Sequence, residues 1–292
     1  MKSLLCWLIL TIAFPPLIEN PVFKITERSR AHHPGEVLRI TLSTSSQFSD
    51  VSIEGWGRKF PAFKQKDEDW LALVGIDLGA KPGDYQLKIQ GVSQAGPNYS
   101  QTLDLKVEVK EFPTRRLTVD PKFVSPPQDQ LARIQRESRW LSSIFSKVSS
   151  RPHWSDSFLS PVPGAATSGF GKRSIFNGQP RSPHSGTDFD AESGTPVASP
   201  NAGEVILAQD LYYTGKTVVI DHGLGLYSLF AHLSAYAVEG GDKLSRNELV
   251  GQVGATGRVT GPHLHWTVRL RTAKVDPLSL IEVTRLPSES HP

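Results

Sequence analysis

The stretch His263-Leu-His-Trp-Thr-Val-Arg-Leu270 alternates with a period of two, the repeat of a β-strand. Leu264, Trp266, Val268 and Leu270 fall on one side and suit a core. His263, His265, Thr267 and Arg269 fall on the other. Two imidazoles on one polar strand face ask for something beside them that uses both.

Working outward, two more segments carry the same chemistry: His184-Ser-Gly-Thr-Asp188 and Phe230-Ala-His232. Taken singly, each is weak. A His-x-His pair is more often a plain surface or core pair than a metal site, and a His four residues before an Asp is common by chance. Gly186 argues against a helix there, so the ligands of any metal must meet through a turn or neighbouring strands. Taken together, His184, Asp188 and a strand histidine give three protein ligands with room for a water, the open tetrahedral pattern of catalytic zinc. His232 and His263 are then left for acid–base work.

The surrounding sequence resembles the lysostaphin/LytM-type zinc endopeptidases, which cut peptide bonds of bacterial peptidoglycan. The likeness runs over residues 158–283 through Pro161-Val-Pro-Gly164, Ser168-Gly-Phe-Gly-Lys-Arg173, His184 to Phe189 and Gly194-Thr-Pro-Val-Ala198. It continues through Gly203-Glu-Val205, Val219-Ile-Asp-His-Gly223, Tyr227 to His232, Gly251, Gly254 and Gly257 to His265. The resemblance implies that His184, Asp188 and His265 hold Zn2+, and that His232 and His263 act on the water and the scissile amide. None of these five positions is substituted.

The chemistry needs those residue types. An amide is a poor electrophile and water a poor nucleophile, and zinc lowers the pKa of bound water to about 7 while polarising the carbonyl. A base must take a proton and an acid must protonate the departing amine, and histidine titrates near working pH. His263, two residues from His265 on one strand face, is the choice for the base. His232, reaching in from another strand, stabilises the oxyanion or donates a proton. His222 ends an apolar run and reads as structural; Asp190 shares the strand face of Asp188, but the family spacing favours Asp188. His32, His33, His153 and His291 read as exposed loop residues, and Arg269 and Arg271 as solvated strand-face charges.

Met1 to Phe14 joins a basic start to an apolar run that Pro15 and Pro16 break. That is a signal-peptide pattern over residues 1–20, short for a membrane span, and an uncleaved anchor is the variant reading. The only cysteine, Cys6, lies inside it, so a processed chain has no disulfide, thiol nucleophile or Cys-based zinc site. Net charge is +3, compatible with an anionic cell wall, and no dense Lys/Arg run with interleaved aromatics points to nucleic acid.

The 292 residues leave room for two domains. Residues 21–112 read as an immunoglobulin-like sandwich of six or seven strands, among them Val37–Leu42, Val51–Ile53, Trp70–Val74, Tyr85–Ile89 and Leu103–Val109. It is either a spacer or a wall- or partner-binding module. Residues 113–157 read as a Pro-rich linker plus one amphipathic helix, beginning near Gln128 and packing across the domain junction. The peptidase domain, 158–283, reads as a mostly antiparallel β-sheet with a groove and almost no helix, followed by a tail, 284–292.

The expectation is a mainly β zinc metalloendopeptidase of the cell envelope, secreted or periplasmic, free or tethered to the membrane at its start. Its expected partners are peptidoglycan stem peptides. The competing expectation is a silent wall-binding activator of another hydrolase, against which the complete set of five residues weighs. Bridge-cutting members of the family often carry a C-terminal targeting domain. Here the sequence ends soon after Val275 to Leu280 and the extra domain is N-terminal, which favours D,D-endopeptidase action on stem-to-stem cross-links.

Overall fold

A computed structural model describes residues 23–286 except 66–68, 94–97, 119–125, 156 and 168. The signal-type segment 1–20, His291 and most of the 284–292 tail lie outside the described residues. The fold is mainly β. Among the described residues no helix is long and apolar enough to cross a membrane.

The N-terminal unit is built from β1 (Lys24–Arg28), β2 (Val37–Ser43), β3 (Phe48–Gly55), β4 (Arg58–Pro61), β5 (Phe63–Lys64), β6 (Trp70–Gly75), β7 (Gly83–Ser93) and β8 (Tyr99–Val107). They form two four-stranded sheets, β1-β2-β6-β5 and β4-β3-β7-β8. Every pairing is antiparallel. Lettered A to G with β4 as C′, this is the A-B-E-D and C′-C-F-G arrangement of an immunoglobulin-like sandwich. The eight strands exceed the six or seven expected, because β1 and the short β4 and β5 carry little hydrophobic alternation. Inward-facing Ile40, Leu42, Val51, Ile53, Leu87 and Ile89 are completely buried between the sheets.

The second half adds β9 (Thr114–Leu117), α1 (Leu131–Ser146), β10 (Arg173–Phe176), β11 (Gln179–Pro180), β12 (Thr187–Phe189), β13 (Pro196–Ala198) and β14 (Gly203–Leu211). There follow β15 (Gly215–Gly223), β16 (Leu226–Leu233), β17 (Ala235–Tyr236), β18 (Lys243–Leu244), β19 (Leu249–Gln252), β20 (Leu264–Leu270), β21 (Ala273–Val275) and α2 (Pro277–Thr284). The central antiparallel sheet runs β12-β20-β16-β15-β14-β18, with β21 on β20. Strand β20 alternates as its sequence dictates: Leu264, Trp266, Val268 and Leu270 are 0–3% exposed. Trp266 stacks on Phe230 and donates its indole N–H to Ser228 Oγ at 3.1 Å.

Several expectations need correcting. The segment after Phe112 is not simply an extended linker: β9 pairs in parallel with β10, Arg115 opposite Ser174, and completes the small sheet β11-β10-β9. Helix α1 does not pack across the domain junction. Its Ile144 and Phe145 cover the far face of the central sheet against Leu207, Val219, Tyr227 and Leu229. Leu131 at its start and Val148 just beyond its end are exposed. Arg269 is not a solvated charge either, since its guanidinium lies 5.4 Å over the Phe145 ring and burial pulls its pKa down to about 10.

The junction is made instead by β6, β21 and α2. Gly75 lets β6 approach so closely that a Cβ there would lie 2.9 Å from Val275 Cγ1. Arg30 bridges buried Glu36 and Asp276 at 2.8 and 2.6 Å, and Ser279 Oγ accepts the Val37 N–H at 2.9 Å. Arg271, read as solvated, donates Nε to Lys59 O at 2.7 Å across the same junction. The apolar core is continuous through both halves.

Candidate metal centre

Strand register brings the first residues together. In the β12–β20 ladder Asp188 stands opposite His265, and in the β16–β20 ladder Ala231 stands opposite His265. His184 precedes β12 by a short turn and is fixed by its main chain, its N–H donating to Lys172 O at 3.0 Å and its carbonyl accepting from Gly171 at 2.8 Å. The turn must pass flat against β20, and Gly186 permits it. A Cβ there would lie 2.6 Å from Trp266 O and 2.7 Å from both His265 Cε1 and Thr267 Oγ1. Gly169 likewise leaves room for the His184 ring.

The outcome is a tight cluster. Asp188 Oδ1 is 3.2 Å from His184 Nε2 and 2.9 Å from His265 Nδ1, and the two ring nitrogens are 2.9 Å apart. Ligand-capable atoms of all three lie within 4.8 Å of one another. Burial would raise the Asp188 carboxyl, but hydrogen bonds from His184 and His265 outweigh it and hold the group ionised, well below the usual carboxylate range. Burial lowers His265, the Asp188 contact offsetting this only in part, so its ring is held neutral. His184 is raised: burial opposes protonation, and the hydrogen bond to Asp188 overcomes it. Thr267 Oγ1 lies 2.9 Å from His265 Nε2; its hydroxyl can donate to that nitrogen while Nδ1–H donates to Asp188, or accept from it once Nδ1 is given over to a metal. One carboxylate oxygen and two imidazole nitrogens that converge in this way fit a small divalent metal of zinc type.

His232 and His263 flank the cluster. A bulge in β16, where the register to β15 shifts, puts His232 in a left-handed backbone at φ 65°. That conformation costs about 1–3 kcal/mol and is held by the His232 N–H donating to Thr214 O at 2.8 Å. Its Nδ1 is 2.9 Å from Thr256 O; a carbonyl only accepts, so Nδ1 carries the proton and Nε2 is a lone pair. His263 is fixed in the same way, Nδ1 to Gly261 O at 3.0 Å, with Nε2 3.9 Å from Asp188 Oδ1. The two rings are 4.9 Å apart. Burial pushes His232 down to about 4, so it is neutral at neutral pH.

All five lie in one groove of roughly 810 Å³, whose other walls include Phe176, Tyr213, Thr214 and Arg258. It is continuous with a smaller polar recess of about 400 Å³ through Arg115, Thr167, His184 and Asp188. Asp190 lies exposed at the shared rim, outside the His184–Asp188–His265 cluster. His222 is fully buried away from the groove, as its apolar flank suggested, with Nδ1 on Ala202 O and Nε2 on Ser228 Oγ. His32 and His33 are partly buried beside Glu27 and Glu108, not plain loop residues. Sequence reading missed Arg115, Thr267 and the carbonyls of Thr256 and Gly261. A polar residue two beyond His265 on the same strand face was the available signal for Thr267, and nothing in the sequence marked the others.

Residues 182–277 match the pattern of Peptidase family M23. A solved structure from Pseudomonas aeruginosa assigned to peptidase M23 is 33% identical, covering 86% of this chain and 96% of that one with a TM-score of 0.68. The peptidoglycan DD-endopeptidase ShyA of Vibrio cholerae is 44% identical over 94 residues, 32% of this chain and 22% of that protein. The DD-carboxypeptidase/endopeptidase Mpg of Neisseria meningitidis is 39% identical over 97 residues, 33% of this chain and 22% of that protein. This chain therefore matches only about a fifth of the length of those curated relatives.

Proposed function

Because this chain belongs to peptidase family M23, we propose that it is a zinc metalloendopeptidase that hydrolyses peptide cross-links of bacterial peptidoglycan in the cell envelope. The observation that carries the reading is the His184–Asp188–His265 cluster flanked by two histidines whose Nδ1 atoms are both committed to backbone carbonyls. His184, Asp188 and His265 would hold Zn2+, which when bound supplies a Lewis acid for the scissile carbonyl and a lowered pKa for its water.

The remaining steps belong to the chain. The attacking water forms a bond from oxygen to the carbonyl carbon and gives a proton to Nε2 of His263, our choice of base because that atom faces Asp188. His232 enters the reaction neutral with its lone pair on the groove, so it serves the oxyanion or the leaving amine only after taking a proton itself. Breaking the C–N bond returns one proton to the amine. The Thr256 and Gly261 carbonyls keep both rings in one tautomer, and the Thr267 hydroxyl holds the orientation of the His265 ring.

Cleavage of D,D cross-links between stem peptides is favoured over glycine bridges, because ShyA and Mpg carry D,D-specific names. The experiment is mass spectrometry of products from defined cross-linked muropeptides and from pentaglycine, with and without chelator. Chelator-sensitive cleavage of the cross-linked dimer is expected. Efficient pentaglycine cleavage with the dimer intact would overturn the bond assignment, and no cleavage of either under any condition would return the protein to the silent-activator reading.

A further inference from the structure

The recess beside the metal cluster is lined by three cationic side chains, Arg115, Lys172 and Arg181. They face one acidic group, Asp190, apart from Asp188, which the cluster itself engages. Arg115 comes from β9, well outside the 182–277 stretch that defines the family. The parallel β9–β10 pairing sets it opposite Ser174, and its Nε donates to Ser174 Oγ at 3.0 Å. That bond steadies the side chain while using only one of five guanidinium N–H donors. Arg115 lines both the groove and the recess, the place where the two join beside His184 and Asp188. A surface arginine kept for solubility needs neither the anchored stem nor the position.

We propose that Arg115, supported by Lys172 and Arg181, forms a subsite for a free carboxylate of the peptide being cut, adjacent to the scissile bond. Planar, forked donors suit a carboxylate, and a groove that is otherwise partly walled by protein strengthens the charge pairing. The inference rests on the peptidase reading above and deepens it: the preferred substrate is an acidic peptide whose carboxylate near the cut is not amidated. The strand that lies between the two halves of the chain thus becomes part of substrate choice.

The test uses the zinc-loaded full-length protein and two D,D-cross-linked peptide dimers, identical except that the carboxylate flanking the scissile bond is free in one and amidated in the other. The ratio of their kcat/KM values is the readout. Wild type is expected to favour the free acid by about 10–100-fold, the range of one charge-assisted hydrogen bond. Arg115→Gln should bring the ratio close to one, and Arg115→Lys should restore part of it. A merely structural role for Arg115 would lower both substrates alike and leave the ratio unchanged, which overturns the subsite. If wild type cuts neither dimer, the hydrolase reading is what fails. Calorimetric titration of the same two peptides then decides the subsite: tighter binding of the free acid, lost in Arg115→Gln, upholds it, and equal binding of both peptides to wild type refutes it.

Discussion

Asp188 and His265 are register partners across the β12–β20 ladder, with Oδ1 and Nδ1 2.9 Å apart. Two of the three candidate ligand side chains are therefore set by backbone hydrogen bonding, and His184 is brought to them by one turn. This has a consequence for Thr267, two residues on and on the same face as His265, whose hydroxyl lies 2.9 Å from Nε2 and holds the ring's orientation. Thr267→Val keeps shape and removes that partner, so zinc affinity should fall about 10–100-fold with the fold intact. Asp188→Ala should lose more. Competition with a chromophoric chelator measures both, and stoichiometric zinc in dialysed Asp188→Ala would remove Asp188 from the site.

Under the proposed function, substitutions at His232 and His263 should separate catalysis from metal holding. Neither is in the His184–Asp188–His265 cluster, yet their rings stand 4.9 Å apart beside it. His232→Ala and His263→Ala should each retain zinc and native circular dichroism while kcat drops by about 10²–10⁴-fold on a cross-linked dimer. Near-normal turnover in either variant would strike that residue from the mechanism.

A buried chain in which Trp266 N–H donates to Ser228 Oγ, Ser228 Oγ meets His222 Nε2 and His222 Nδ1 donates to Ala202 O ties the His265 strand to its neighbours. His222 is fully buried, and burial pushes its pKa from the ordinary 6.5 down to about 4. Between those values the unfolded chain binds a proton that the folded chain refuses. Stability is therefore complete above about 6.5 and falls as pH drops toward 4, by about 1.4 kcal/mol per pH unit for this one group. His222→Asn keeps a donor for Ala202 O without a titrating ring. It should be less stable at pH 7, with a pH slope shallower by about one proton in urea unfolding between pH 4.5 and 6. An unchanged slope would mean that His222 does not carry the effect.

Arg30 is the ionic centre of the junction. It contacts Glu36, 2% exposed, and Asp276, 5% exposed, at 2.8 and 2.6 Å. Burial would raise Glu36, and Arg30 is what keeps it ionised. Arg30→Met leaves two buried carboxylates short of a partner, a loss of about 3–5 kcal/mol in fully buried cases. Because Arg30 is 29% exposed and Lys110 still reaches Glu36 at 3.2 Å, the lower end of that range is expected. Urea unfolding checks it, and a change under about 1 kcal/mol would mean that apolar packing alone holds the junction.

What the sequence made legible follows from how local each signal is. The alternation of Leu264 to Leu270 and the residue order of the sandwich are short-range patterns, and the fold matches them. The pairing of β9 with β10 joins residues some sixty apart in sequence, and its four residues are all exposed, so no hydrophobic pattern marked it. The capping side chain of Asp276, followed by Pro277, announced α2, but eight residues were too few to stand out. Arg269 shows a different limit. Its strand face was read as wet because His263, His265 and Thr267 share it, but only the site end of that face meets the groove. The other end lies beneath α1.

Gly186 offers the sharpest check on the geometry, because its substitution adds one methyl group and removes no ligand. Its backbone is not in the left-handed region, so alanine brings no φ penalty there. The cost is contact alone. The new Cβ would meet Trp266 O at 2.6 Å and the ring edge of His265 at 2.7 Å, distances that force the turn away from β20. The turn carries His184 and leads directly into Asp188, so the His184–Asp188–His265 cluster should spread. Gly186→Ala is expected to weaken zinc binding by more than Thr267→Val does, while the immunoglobulin-like sandwich, which makes no part of this contact, stays folded. Metal titration and near-ultraviolet circular dichroism of the full chain read the two effects separately. Wild-type zinc affinity in Gly186→Ala would show that the turn can retreat without moving His184 or Asp188, and the tight-approach account of the site would have to be abandoned.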